Sequence, residues 1–202
     1  MRASTVDHGD HAQVAPPELR SAVCLDVPID DAQWAELMRG VRRRVFAKGA
    51  ALVRPGTVAR HVFFLERGIV RYFVPVGDGF VNLGFDCEGR FAADGESIST
   101  GAPSVRGIEA LSDVVAWALP NAHLRALEAR DDAWRRVRLA QLVRRQRHAA
   151  EKERRIRTRT PEERYADLVR EGSYLARRVP LYHLASYLGI AAETLSRIRA
   201  RS

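Results

Sequence analysis

Glu193 and Arg197 stand four residues apart, so on a helix they share one face. Arg presents a planar fork that matches guanine O6 and N7, and Glu accepts from cytosine N4. The pair therefore has the chemistry to read base edges in a DNA major groove. Thr194 and Ser196 add hydroxyls suited to phosphates or nearby bases. Leu195 and Ile198, three apart, give the same helix an apolar stripe to turn inward. Upstream, Leu184 and Leu188 supply the matching apolar positions of a preceding helix. Ala185 is the small residue that two steeply crossing helices need where their backbones nearly touch. Gly189, four residues later, tolerates the positive φ of a turn. Every position of the spacing Ala-x3-Gly-x5-Leu-x2-Ile is filled within residues 181–200. This is the pattern of a DNA-binding helix-turn-helix.

A plain helical hairpin would explain the glycine and the stripe but not the charge. Residues 130–202 hold 19 Lys and Arg against 9 Asp and Glu, whereas residues 1–129 hold 14 against 16. Basic charge gathered in one segment is the footprint of phosphate binding. Lys48 and Lys152 are the only lysines, so the charge is carried by Arg, whose fork suits phosphates and guanine edges.

The elements that position these residues follow from pattern. Asp30 and Asp31 cap a helix with Trp34, Leu37, Met38 and Val41 at helical spacing. Residues 45–119 alternate short β-rich runs (51–53, 61–65, 69–76, 80–85, 106–110 and 114–119) with turn signals. Val76-Gly77-Asp78-Gly79-Phe80 makes a hairpin tip. Strands this short and evenly spaced predict a small barrel or roll. Residues 92–104 read as a loop where such a roll opens onto a pocket. Residues 131–157 contain no Gly or Pro and carry an apolar stripe from Trp134 to Ala149. A helix of about 25 residues spans about 38 Å, and its stripe outruns one small roll, which predicts pairing with a second copy as a coiled coil. Thr160-Pro161-Glu162-Glu163 starts another helix, which Gly172 is expected to end, and Pro180 opens the helix-turn-helix.

The expected fold is α+β: an N-terminal cupin-like antiparallel β-roll, a long dimerisation helix and a C-terminal helix-turn-helix domain. The expected divisions are an N-terminal segment 1–29, disordered in part; a sensor roll 30–129; a dimerisation helix 130–158; and a DNA-binding domain 159–202. No run of eighteen apolar residues crosses a membrane and no signal peptide is visible, so a cytoplasmic location is expected. Cys24 and Cys87 are too few for an iron–sulfur cluster, which takes four ligands, and read as small buried hydrophobes. Asp7-His8-Gly9-Asp10-His11 reads as a terminal tract rather than a metal site. A cupin-type enzyme would cluster His and acid ligands on neighbouring strands. The roll offers only His61, so neither catalysis nor a bound metal is expected.

A roll, one long helix and a C-terminal helix-turn-helix resemble the Crp/Fnr family of bacterial transcription regulators. Lys48-Gly49, Pro55-Gly56, residues 62–68 (Val-Phe-Phe-Leu-Glu-Arg-Gly), Pro161-Glu162-Glu163-Arg164-Tyr165 and the stretches 178–180 and 193–198 carry the resemblance, which covers residues 34–202. It implies a homodimer on a pseudo-palindromic operator in double-stranded DNA, with half-sites one helical turn apart, about 34 Å, and RNA polymerase as a further partner. It also implies that Glu193 and Arg197 are the base readers. Ala192 stands where several members carry another polar reader, and no β-hairpin wing is expected after Ile198. A module whose output is a protein contact, with a degenerate helix-turn-helix, is the alternative those departures leave. Cyclic-nucleotide binders of the family carry Gly-Glu, then Arg-Ser about ten residues on, to hold ribose and phosphate. Gly95, Glu96 and Arg106 fill that pattern in part. Gly107 replaces the Ser, and Pro103-Ser104 competes for the alignment and would remove the phosphate Arg. No cofactor is certain: the lack of a clean Arg-Ser pair argues against cyclic AMP, and a cyclic nucleotide, another small molecule and no ligand at all stay open as alternatives. A haem reading would lean on a lone His61 or His123.

Overall fold

The computed structural model describes residues 14–201, with only the backbone described at 171–175 and at 201. The Asp7–His11 tract lies outside the described residues. By their contacts the described residues divide into two units: those up to Tyr72 with Phe85–Leu142, and Phe73–Gly84 with the chain from Val143 onward.

The first unit is built on a roll. Strands β1 (Arg42–Phe46), β8 (Val114–Pro120), β3 (His61–Arg67) and β6 (Phe91–Ala92) lie in that order in one sheet. Strands β2 (Ala51–Val53), β7 (Gly107–Ala110), β4 (Ile69–Val76) and β5 (Gly79–Cys87) form the other, with β5 at its edge. β8 pairs antiparallel with both β1 and β3, so Arg42 and Phe63 meet Ala118 from opposite sides. Its position explains its composition. Ala116 and Ala118 point between the sheets, into a core with Phe46, Phe63, Leu65, Val70 and Ile108. Trp117 and Leu119 point the other way, into a second core with Leu19, Leu37, Phe64, Leu127 and Trp134. A strand buried on both faces reads as an unbroken apolar run, as Val-Val-Ala-Trp-Ala-Leu does. β7 and β8 follow each other in sequence but enter different sheets.

Helices cover the outer face of the β8 sheet. α1 (Pro17–Val23) falls in the N-terminal segment 1–29, where sequence pattern predicts no element. It is ordered because Leu19 and Val23 reach the second core, where they are 0% and 6% exposed. α2 (Asp31–Gly40) starts with a reciprocal cap: Asp30 Oδ1 accepts from the Gln33 amide at 2.8 Å, and Gln33 Oε1 accepts from the Asp30 amide at 2.9 Å. Residues 92–104 are not one loop. They hold the end of β6 and a short helix α3 (Gly95–Thr100). At Gly68, between β3 and β4, φ is +102° and a Cβ would stand 2.5 Å from the Asp113 carbonyl oxygen, so only glycine fits. α4 (Asn121–Arg130) leads to α5 (Asp132–Thr158), 27 residues long, or about 40 Å.

The second unit holds the β4–β5 tip and helices from Val143 onward. α6 (Pro161–Arg178) opens with a cap between Thr160 and Glu163. It does not end at Gly172, where sequence pattern predicts its end. An interior glycine costs a helix only about 1 kcal/mol, whereas Pro180 denies the next turn its amide. α7 (Leu181–Leu188) and α8 (Ala192–Arg201) complete the unit.

Candidate functional site

α7 and α8 meet at a tight turn. Gly189 adopts φ +69°. Its amide donates to Ser186 and the Ile190 amide to the Ala185 carbonyl. Those two bonds close a helix C-terminus through a left-handed glycine. Arg164 of α6 donates to the Leu188 carbonyl at 2.8 Å, so a further open carbonyl of α7 is satisfied from outside. Leu184, Leu188 and Leu195 are fully buried and Ala185 nearly so, which fixes α8 against α7. Burying Leu195 sends the opposite face outward: Glu193, Ser196 and Arg197 are exposed, and Thr194 and Ile198 are half-buried. The structure thus brings the four expected readers onto one helix, three of them fully on its open face. Arg197 Nη2 lies 3.4 Å from Thr194 Oγ1, a long contact that leaves the guanidinium free to turn to another acceptor.

Beyond its buried start at Ala133 and Trp134, and Val137 packed on the second core, α5 leaves several apolar residues in solvent. Leu139, Leu142, Val143 and Ile156 are 62%, 42%, 45% and 53% exposed. Gln146, Ala149, Ala150 and Glu153 are also exposed and fall on the same three- and four-residue spacing.

The second group of expected site residues also comes together, though not as a free cation. Arg106 places Nη2 3.4 Å from Glu96 and Nε 3.6 Å from Asp94. Gly95 is buried at the first position of α3, and Asp94 accepts from the Glu96 amide at its cap. Asp94 is 2% exposed. It is bonded by Ser104, whose hydroxyl is also 2.7 Å from the Arg106 carbonyl. Two carboxylates face one guanidinium, so an incoming anion would have to displace Glu96 and then sit beside Asp94. Sequence reading missed Asp94, whose signal was its place as a cap just before Gly-Glu. Ser104 it met only as a competitor in alignment.

Other polar groups of the roll are bound within it. Glu66 accepts a fork from Arg43, at 2.8 and 3.0 Å, and the Trp117 indole at 2.7 Å. The Arg43 bond, foremost, holds the Glu66 carboxyl below its usual range. Arg71, 6% exposed, pairs with Glu109 at 3.0 Å. His123 donates from Nε2 to the Glu36 and Leu37 carbonyls, a structural use of the ring. His61 is pushed below its usual pKa by burial and then by Arg44 and Arg60. It lines a cleft of about 180 Å³ with Arg54, Thr57 and Arg60. Among the described residues no three His, Cys, Asp or Glu side chains gather to hold a metal. None of the described helices is long and apolar enough to cross a membrane.

This architecture defines a class. Residues 43–131 match the family model of the cyclic nucleotide-binding domain. The wider chain has the fold of the Crp/Fnr transcription regulators. Solved structures similar to it include FixK2 from Bradyrhizobium japonicum, at 20% identity over 80% of this chain and 83% of that one, with a TM-score of 0.70. A second is a candidate regulator of the Crp/Fnr family from Eubacterium rectale, at 14% identity over 86% and 83%, with a TM-score of 0.68. A third is the c-di-GMP-responsive global regulator CLP of Xanthomonas campestris, at 18% identity over 85% and 91%, with a TM-score of 0.66. No curated protein matches the chain.

Proposed function

We propose that this chain is a dimeric, sequence-specific DNA-binding transcription regulator. α7 and α8 form its helix-turn-helix, and α8 enters the major groove. The observation that carries the reading is the face of α8: Glu193 and Arg197 four apart and exposed, set directly over the buried Leu195. Arg197 takes guanine and Glu193 takes cytosine, while Thr194 and Ser196 bond to phosphates or neighbouring bases. The Arg-rich segment from residue 130 supplies the salt-dependent attraction to the backbone.

The exposed seam of α5 supports the dimer. Leu139, Leu142 or Val143, Gln146, Ala149 or Ala150, Glu153 and Ile156 repeat on average every 3.5 residues, the period at which two helices bury a shared stripe. Residues 30–129 then act as the sensing roll, 130–158 as the dimer helix and 159–202 as the DNA-binding domain, with RNA polymerase as the downstream partner. Gly95, Glu96 and Arg106 are the roll's effector contacts in this reading. Because Asp94 and Glu96 already engage Arg106, a cyclic phosphate would have to displace Glu96 to reach it. Cyclic AMP titrated into the protein–operator complex is expected to leave the affinity unchanged. A gain would give Arg106 back its phosphate role. The reading as a whole is tested by selection from randomised duplexes, with the bound pool scored for palindromy.

A further inference from the structure

β5 is the edge strand of its sheet, and an edge strand presents amides with no strand to receive them. At Asn82 the amide is used: it donates to Ser186 Oγ on α7 at 3.0 Å. The side chain of Asn82 reaches the same helix. Its Nδ2 donates to the His183 carbonyl at 3.1 Å and stands 3.2 Å from His183 Nδ1. An amide nitrogen can only donate, so Nδ1 accepts there. The His183 ring lies between Phe80 of β5, 5.5 Å away, and Tyr182 of its own helix, 3.9 Å away. Asn82 and His183 are each 3% exposed. These contacts set the β4–β5 tip, Phe73–Gly84, in one unit with the helices that follow Val143. They meet α7 and leave the open face of α8 uncovered.

We propose that Asn82 is a positioning residue for DNA recognition. The hairpin clamps α7, and α7 fixes α8 through Leu184, Leu188 and the Gly189 turn. The sequence-reading groups then face DNA on a helix whose orientation is set in advance, so ordering it costs nothing at the moment of binding. The clamp acts without occluding the reading face, which separates it from an inhibitory contact. The proposal rests on the DNA-binding reading, and its test has an arm that does not.

The test uses the full chain with Asn82→Asp, Asn82→Ala and Asn82→Gln. Asp keeps the shape but presents only acceptors to the His183 carbonyl; Ala removes the side chain; Gln keeps an amide donor. Hydrogen exchange of the α7 amides is followed in the free protein, and affinity is measured on the selected operator and on random duplex. The expected result for Asp and Ala is faster α7 exchange and roughly 10-fold weaker operator binding. The preferred sequence should not change, because the readers are intact, and Gln should recover part of both losses. Unchanged α7 exchange would overturn the clamp. Faster exchange with equal or tighter operator binding would overturn the positioning role. Failure of the parent protein to select any operator would remove the DNA reading and the positioning role together, with the clamp still decided by exchange.

Discussion

Arg197 and Glu193 are where sequence preference should reside. Arg197→Ala is expected to cost about 1–3 kcal/mol at one base position and to relax the choice there, as measured by binding to single-base operator variants; equal weakening on all sequences would make it a phosphate contact instead. Glu66 belongs to stability. Its carboxyl, ordinarily at 4.5, is held lower in the fold, so the unfolded chain binds the proton more readily. The stabilisation from Arg43 and Trp117 is therefore complete above pH 4.5 and lost as pH falls through the folded value. Glu66→Gln should lower the urea midpoint at pH 7, and the gap to the parent should close below pH 4.5. Residue-scale legibility was uneven. The open face of α8 was legible because helical period separates the buried Leu195 from its neighbours, while the role expected of Glu193 and Arg197 is what the family resemblance implies. Asn82 and His183 could not be found, since 101 residues separate them and neither type is distinctive. Asp94 and Ser104, ten apart, were hidden by the more familiar Gly-Glu pair beside them.

At the scale of elements, strands and turns were readable where local chemistry decides them. The runs 51–53 and 69–76 coincide with β2 and β4, and the Gly77-Asp78 tip joins β4 to β5. Gly68→Ala is expected to destabilise the fold by at least about 2 kcal/mol, because the left-handed backbone and the Asp113 carbonyl both oppose a Cβ. Thermal unfolding checks this, and a neutral result would show that the β3–β4 turn relaxes. What pattern alone did not give had other causes. α1 forms because two apolar side chains fit the second core. α6 runs through Gly172 because one interior glycine costs a helix only about 1 kcal/mol, and Pro180 sets the stop that follows. β7 and β8 part into two sheets, a matter of topology rather than propensity.

The whole molecule is expected to act as a pair. Leu139→Glu with Leu142→Glu would place charges in the α5 seam. Sedimentation should then show a monomer, with the fold kept by circular dichroism and palindrome binding lost. A dimer that survives the change would locate the pairing surface elsewhere. Its affinity should fall steeply with salt, in proportion to the phosphates neutralised. The most direct measurement is selection of bound duplexes from a randomised pool at several salt concentrations. The account predicts a recovered pseudo-palindrome with half-sites one turn apart, about 34 Å, held at salt that removes random duplex. Uniform binding across sequences that vanishes with salt would contradict it, since a basic surface alone would then explain every contact with DNA.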